Sequence, residues 1–454
     1  MSGLPIDHAA LRSAAAATVL PGFEGTVLPE WLRARLAAGL GGVCVFGENI
    51  RSLDQLRELT AAIREANPLA IIAIDEEGGD VTRLFYEIGS PYPGNAVLGR
   101  IDDLVQTGTV ARTVGLALRD AGVTLDFAPD ADINSNPDNP VIGVRSFGST
   151  ASHVAEHAAA WVRGLQSAGV AASAKHFPGH GETATDSHRA LPVVDVSLEV
   201  LRSRELVPFA AAIDAGVRTI MTSHILLPQL DAEHPATLSP RILQGLLRTE
   251  LGFTGLIVSD ALDMAGASGA IGIPEAAVQA LGAGCDLLCI GTKNTDAQLA
   301  DIERAVLAAV ADGRLTETRV LRAAAAVRAL GAESGPPGDS RPVSLPSATV
   351  ERISPLPGPD QVATTFDITP EAELWLRNGP TRVIVRLETV PNEAVGSAPW
   401  GPFAHLDEWS ADDVITVTET SASPQFSGTS IVVVGKANHL HPWATHLIDT
   451  LRRD

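Results

Sequence analysis

The densest chemistry in the chain is one segment, Lys175-His-Phe-Pro-Gly-His-Gly-Glu-Thr-Ala-Thr-Asp-Ser-His188. It begins as an apolar strand, turns at Pro178-Gly179 and continues as a polar loop, and the whole segment carries three histidines and an aspartate. Asp186 stands two residues before His188. A carboxylate so placed can fix the imidazole tautomer and stabilise the imidazolium, which makes a better proton shuttle. The alternative is a loop whose polar groups face water, and for His180 alone that alternative stands level with a role in the site. A second segment, GLIVSDALDM, puts Asp260 at the end of an apolar run, where a lone carboxylate is costly unless it is used or paired. Asp263, three residues on, reads as the solvated start of the next helix. In a third segment, IIAIDEEGGDVTRL, Asp75 ends a strand and Gly78-Gly79 allow a tight turn. Asp75 and Arg83 could grip sugar hydroxyls or pair with each other.

The elements that must hold these residues follow a single alternation up to about residue 330. Eight short apolar runs, over 16–23, 42–47, 70–75, 123–129, 171–177, 218–224, 255–260 and 286–291, alternate with Ala/Leu/Arg-rich helical stretches such as 53–67 and 153–169. Their apolar positions are continuous rather than alternating, as in parallel strands buried on both faces. Eight such units imply an α/β fold of the (β/α)8 TIM-barrel class, with an open doubly wound sheet as the alternative. Asp75, Lys175, His176, His224 and Asp260 all fall at the C-terminal ends of the runs, the face where such a barrel carries its active site. We expect a catalytic barrel over 1–330, a Pro/Gly-rich linker over 331–370 and a small α/β module over 371–454. The module has strands within 381–389, 413–419 and 430–436 and a terminal helix with Trp443, His446, Leu447 and Leu451 on its apolar face.

Composition narrows the function classes. The 454 residues are 45% hydrophobic, enough for a large core, and the net charge of −21 argues against nucleic-acid or anionic-membrane partners. Cys44, Cys285 and Cys289 lie in apolar runs and read as buried free thiols, neither a disulfide framework nor a metal cluster. The N-terminal stretch lacks a basic region and cleavage site, and no apolar run approaches the ~20 residues of a membrane span. A cytoplasmic protein without cofactor or metal is expected.

Taken together these segments resemble glycoside hydrolase family three, in its β-N-acetylglucosaminidase branch, over roughly residues 15 to 330. KHFPGHGETATDSH is similar to that branch's long signature. The resemblance implies His188 as general acid/base assisted by Asp186, and Asp260 as nucleophile. It also implies substrate contacts from Asp75, Arg83, Arg145 (in NPVIGVRSFG), Lys175 and His176. The implied substrate is a carbohydrate ending in N-acetylglucosamine, cleaved with net retention through a glycosyl-aspartate. Two departures stand out: Asp80 occupies a position usually held by arginine, and the C-terminal module is shorter than the second domain of the family's two-domain members. Three rival readings keep the barrel. One is a phosphorylase using the same Asp/His pair, and another a metal-dependent hydrolase with His176, His180, His224 and Asp260 as ligands. The third is a non-catalytic sugar-binding barrel.

Overall fold

The computed structural model describes residues 8–185, 187, 190–333, 355–372, 374, 382–389, 395–396, 398–400, 414–422, 424, 426 and 430–452. Asp186 and His188, the expected acid/base pair, lie outside the described residues.

All eight expected strands form: β1 (Val19–Pro21), β2 (Gly42–Cys44), β3 (Ile71–Ile74), β4 (Leu125–Asp126), β5 (Ala171–Phe177), β6 (Thr219–Thr222), β7 (Leu256–Ser259) and β8 (Leu287–Gly291). They run parallel in the order β1-β8-β7-β6-β5-β4-β3-β2. The Gly41 amide beside β2 donates to the Ala16 carbonyl before β1 at 3.1 Å, which brings the two ends of the sheet together. The barrel reading holds and the open sheet does not. Every residue of these strands is buried, which is why their sequences lack a polar alternation. One apolar cluster fills the barrel interior, with Leu20, Cys44, Ile71, Leu125, Phe127, Met221, Val258 and Cys289 among its members. A larger one, including Ile72, Ile74, Val162, Ile220 and Ile257, packs the outer faces of the strands against the helices.

The helices expected at 53–67 and 153–169 run over Leu53–Ala66 and Ala151–Ser167. Ser52 caps the first by accepting from the Gln55 amide at 3.2 Å. The second begins earlier than its sequence suggests, behind Thr150, and buries Trp161 completely. Among the described residues no helix is long and apolar enough to cross a membrane.

Beyond the barrel helix Glu317–Glu333, a short helix at Pro359–Ala363 is tied to the barrel: Gln361 and Gln106 exchange side-chain hydrogen bonds at 2.9 and 3.1 Å. A second, parallel sheet follows, β9 (Arg382–Leu387) between β10 (Val414–Val417) and β11 (Ser430–Gly435). The terminal helix Pro442–Leu451 covers it through Ala444, Leu447 and Leu451, with Trp443 half-buried beside them; His446, expected on that face, is exposed.

Candidate active site

At the C-terminal end of the barrel lies a cavity of about 340 Å³. Six of the residues singled out from the sequence line it: Asp75, Arg83, Arg145, Lys175, His176 and Asp260. They arrive from several parts of the chain, and local chain geometry explains the aim of some of them. Lys175 and His176 are neighbours on β5, where regular pleating would send one side chain inward and the other outward. The register against β6 slips by one residue between Ala174 and Phe177, and this bulge turns both toward the cavity. After β3 the chain reverses at Gly78 and Gly79, with φ of 78° and 57°. The turn brings Glu77 inward beside Asp75 and returns the chain so that Arg83 reaches the rim.

The cavity wall is a chain of alternating charges. Lys175 Nζ donates to Asp75 Oδ1 at 2.6 Å and lies 2.6 Å from Glu77 Oε1. Glu77 also accepts two bonds from Arg145, Nε to Oε2 at 3.0 Å and Nη2 to Oε1 at 2.8 Å. Arg145 Nη2 stands 3.4 Å from His176 Nε2, and His176 Nδ1 is 2.7 Å from Asp132 Oδ2. Asp132 further accepts the His180 amide at 2.6 Å. Burial works against the charge on Glu77, but Arg145 and Lys175 overcome it and hold the carboxyl well below its ordinary range. Asp132 is likewise desolvated, yet His176 and His180 keep it ionised. Desolvation would discharge Lys175, and Asp75 and Glu77 reverse that. Such buried ion pairs contribute little net stability, but they fix donors and acceptors in place.

Asp75 therefore has Lys175 as an ion-pair partner. Arg83 donates from Nη1 to the Val395 carbonyl of the C-terminal region at 3.4 Å. Glu76 holds the returning chain by accepting the Arg83 and Leu84 amides at 2.8 and 2.9 Å; burial pushes its carboxyl up to about 7.

Asp260 follows β7, half-buried, and its Oδ1 accepts the Ala261 amide at 2.7 Å. His224 lies fully buried behind it: Nδ1 meets Thr237 Oγ1 and Nε2 the Ala261 carbonyl, both at 2.9 Å. It thus steadies the backbone next to Asp260. Both its nitrogens are engaged, so the four-ligand metal site considered from the sequence does not assemble. Among the described residues, the only groups whose ligand atoms converge are Asp102/His153/His157 and Asp130/Asp132/His176. Asp263 is exposed at the cavity mouth.

The loop after β5 is fastened at several points. His180 is buried, not solvated: Nδ1 meets Thr183 Oγ1 at 2.7 Å and Nε2 meets Ser187 Oγ at 3.1 Å. Burial depresses its pKa to about 4, so it stays neutral. Gly181 packs so tightly on the Ile133 carbonyl that a Cβ there would sit 1.6 Å from the oxygen. Arg204 pairs with Glu182 on the loop and with Glu205 beneath it. Glu77, Asp132 and Glu205 were not singled out from the sequence. Asp132, in FAPDADIN just beyond β4, obeyed the strand-end rule that found the others.

Residues 27–330 match the N-terminal domain of glycosyl hydrolase family 3. The chain belongs to that family. It is accordingly a glycoside hydrolase. The chain is 39% identical over 305 residues to β-hexosaminidase A of Pseudoalteromonas piscicida, covering 62% of this chain and 50% of that protein. It is 40% identical over 292 residues to a β-hexosaminidase of Chromobacterium violaceum, covering 62% of this chain and 81% of the relative. Among solved structures, a family 3 β-N-acetylglucosaminidase from Paenibacillus sp. FPU-7 superposes with a TM-score of 0.82 at 33% identity, covering 98% of this chain and 88% of that one. NagZ of Neisseria gonorrhoeae, solved with N-trifluoroacetyl-D-glucosamine, gives 0.56 at 32% identity over 69% of this chain and 97% of its own.

Proposed function

We propose that this glycoside hydrolase is a retaining β-N-acetylhexosaminidase that removes terminal N-acetyl-β-glucosaminyl residues. One observation carries the reading: the Asp260 carboxylate opens into the same cavity as the fixed donors and acceptors Lys175, His176, Arg145 and Asp75. The named relatives support the acetamido sugar. Asp260 attacks the anomeric carbon while His188, oriented by Asp186, protonates the departing oxygen; His188 then takes a proton from water as the glycosyl-aspartate is hydrolysed. Two inversions give net retention. Lys175, His176 and Arg145 hold the sugar hydroxyls through positions set by Glu77 and Asp132. The preformed network costs no reorganisation when the oxocarbenium-like charge develops.

Incubating the protein with a chromogenic N-acetyl-β-glucosaminide, with and without phosphate, tests the reaction. Free N-acetylglucosamine in both cases is the expected product; a sugar 1-phosphate would mean a phosphorylase. Asp260→Asn should lose turnover by orders of magnitude and should no longer be labelled by a 2-fluoro glycosyl donor. Near-normal turnover in that variant would reduce Asp260 to a structural carboxylate.

A further inference from the structure

A second group of titratable side chains converges away from the cavity. Asp102, His153 and His157 each bring one ligand atom to within 4.8 Å of the others, and none of the three lines the cavity. The two histidines stand four residues apart in the helix Ala151–Ser167, so one face presents both, at the spacing that helical zinc pairs use. Their ring centroids are 4.6 Å apart. Asp102 comes from the joint between the helices Asn95–Ile101 and Leu104–Asp120. Its neighbour Asp103 is occupied in capping the second of these, accepting the Val105 and Gln106 amides at 2.9 and 3.1 Å. Asp102 takes no part in that cap. It closes the first helix in the left-handed region, at a φ of 55°, and its carboxylate turns toward the two imidazoles.

Hydrogen bonds set which nitrogens face that carboxylate. His153 Nε2 meets the Gly99 carbonyl at 3.0 Å. A carbonyl only accepts, so Nε2 carries the hydrogen and, in the neutral ring, Nδ1 presents a lone pair. That lone pair faces Asp102 Oδ1 at 3.5 Å. His157 Nδ1 meets Thr107 Oγ1 at 2.9 Å, and its Nε2 faces the same Oδ1 at 3.5 Å. With the Thr107 hydroxyl accepting from Nδ1, His157 repeats the arrangement of His153. Each imidazole then has one nitrogen anchored and the other turned to a common point, as in metal-binding histidines.

The distances separate an ion site from a hydrogen bond. Where this protein does bond an imidazole to a carboxylate, at His176 and Asp132, the atoms stand 2.7 Å apart. At 3.5 Å such a bond is weak. Zinc–ligand bonds of about 2.1 Å in a tetrahedron set neighbouring ligand atoms about 3.4 Å apart. Two imidazoles and a carboxylate suit zinc rather than magnesium or calcium, which prefer oxygen ligands. The Asp102 side chain is 68% exposed, so water can complete the fourth position.

We propose that Asp102, His153 and His157 bind one zinc ion, which staples the joint between two helices to a third. Its effect is on stability, because its ligands join three helices and none enters the cavity.

Zinc chloride is titrated by calorimetry into the full chain at pH 7.5, after stripping with a chelator, and thermal unfolding is followed with and without the ion. One equivalent should bind, and zinc at about a hundredfold excess over its Kd should raise Tm by about 2–5 °C. Asp102→Gly, which suits the left-handed backbone, and His153→Gln should each weaken binding by about tenfold or more and lose most of the rise in Tm. His439→Gln, at an exposed histidine of the C-terminal module, should behave as the parent. One-to-one binding that survives both Asp102→Gly and His153→Gln, or that disappears in His439→Gln, overturns the site, as does the lack of stoichiometric binding to the parent. Binding without a rise in Tm overturns the structural role. None of these outcomes depends on glycosidase activity.

Discussion

Glu205 offers a sharp test of how the loop carrying the proposed acid/base is supported. Its carboxyl is buried beneath that loop: Oε1 accepts from Arg204 Nε at 2.5 Å, while a Cβ on Gly179 would lie 2.9 Å from Oε2. Burial raises its pKa from 4.5 to about 7, against the opposing pull of Arg204. A carboxyl raised in the folded state stabilises the fold below its unfolded pKa and loses that contribution as pH climbs through the folded value. A rise from 4.5 to about 7 is worth roughly 3 kcal/mol across the pH window between the two values. Glu205→Gln keeps the shape and the acceptor for Arg204 but cannot ionise. Its buried NH2 adds an offset that does not depend on pH, so the informative quantity is the slope. Urea melts of both proteins from pH 4.5 to 8 should show the parent losing about 3 kcal/mol relative to the variant across that window. Titrations common to both proteins, among them the acid-side charging of His180, cancel in the difference. A difference independent of pH would refute the reasoning.

Asp132→Asn removes the charged partner of His176 and should lower kcat/KM by about tenfold to a hundredfold, the worth of a hydrogen bond to a charged group; unchanged steady-state kinetics would show that His176 is held by other contacts. Glu77→Gln leaves Lys175 and Arg145 short of their shared anion and should cost about 3–5 kcal/mol in urea melts at neutral pH. Because Glu77 is depressed in the fold, its contribution is present above pH 4.5 and disappears in acid, so the two proteins should converge as pH falls. Lys436 Nζ pairs with Asp80 Oδ1 at 3.0 Å and tethers the C-terminal module to the loop that carries Arg83. Lys436→Glu should raise KM about two- to fivefold, the scale of a half-exposed pair, with kcat less affected. The exchange Asp80→Lys with Lys436→Asp should restore KM, and failure of that rescue would assign the effect to something other than the pair.

The difference between what the sequence disclosed and what it hid follows from how a parallel barrel is built. Its strands are so uniformly apolar that any charge at a strand end stands out, and Asp75, Lys175, His176 and Asp260 were legible for that reason. Glu77 was not, because three acids stand in a row at 75–77 and only the Gly78-Gly79 turn decides which of them faces inward. Lys175 and His176 were legible as residues but not as neighbours on one wall, since that depends on a bulge whose cause lies in the pairing with β6. Asp80 stood out in the sequence only as a departure from the family's usual arginine; its lysine partner comes from β11's far end, some 350 residues later, and only the docking of the second sheet supplies it. The same holds for Cys44 and Cys289, which lie at opposite ends of the barrel sequence and line one cavity because closure places β2 and β8 on either side of β1. Local patterning therefore identifies the residues that a strand presents, whereas the partners that set their charge and aim are contributed by closure, register and docking. Glu77, Asp132 and Lys436 are such partners, and their variants test that division directly: each should alter the behaviour of a residue far from it in sequence while leaving the eight-strand frame in place.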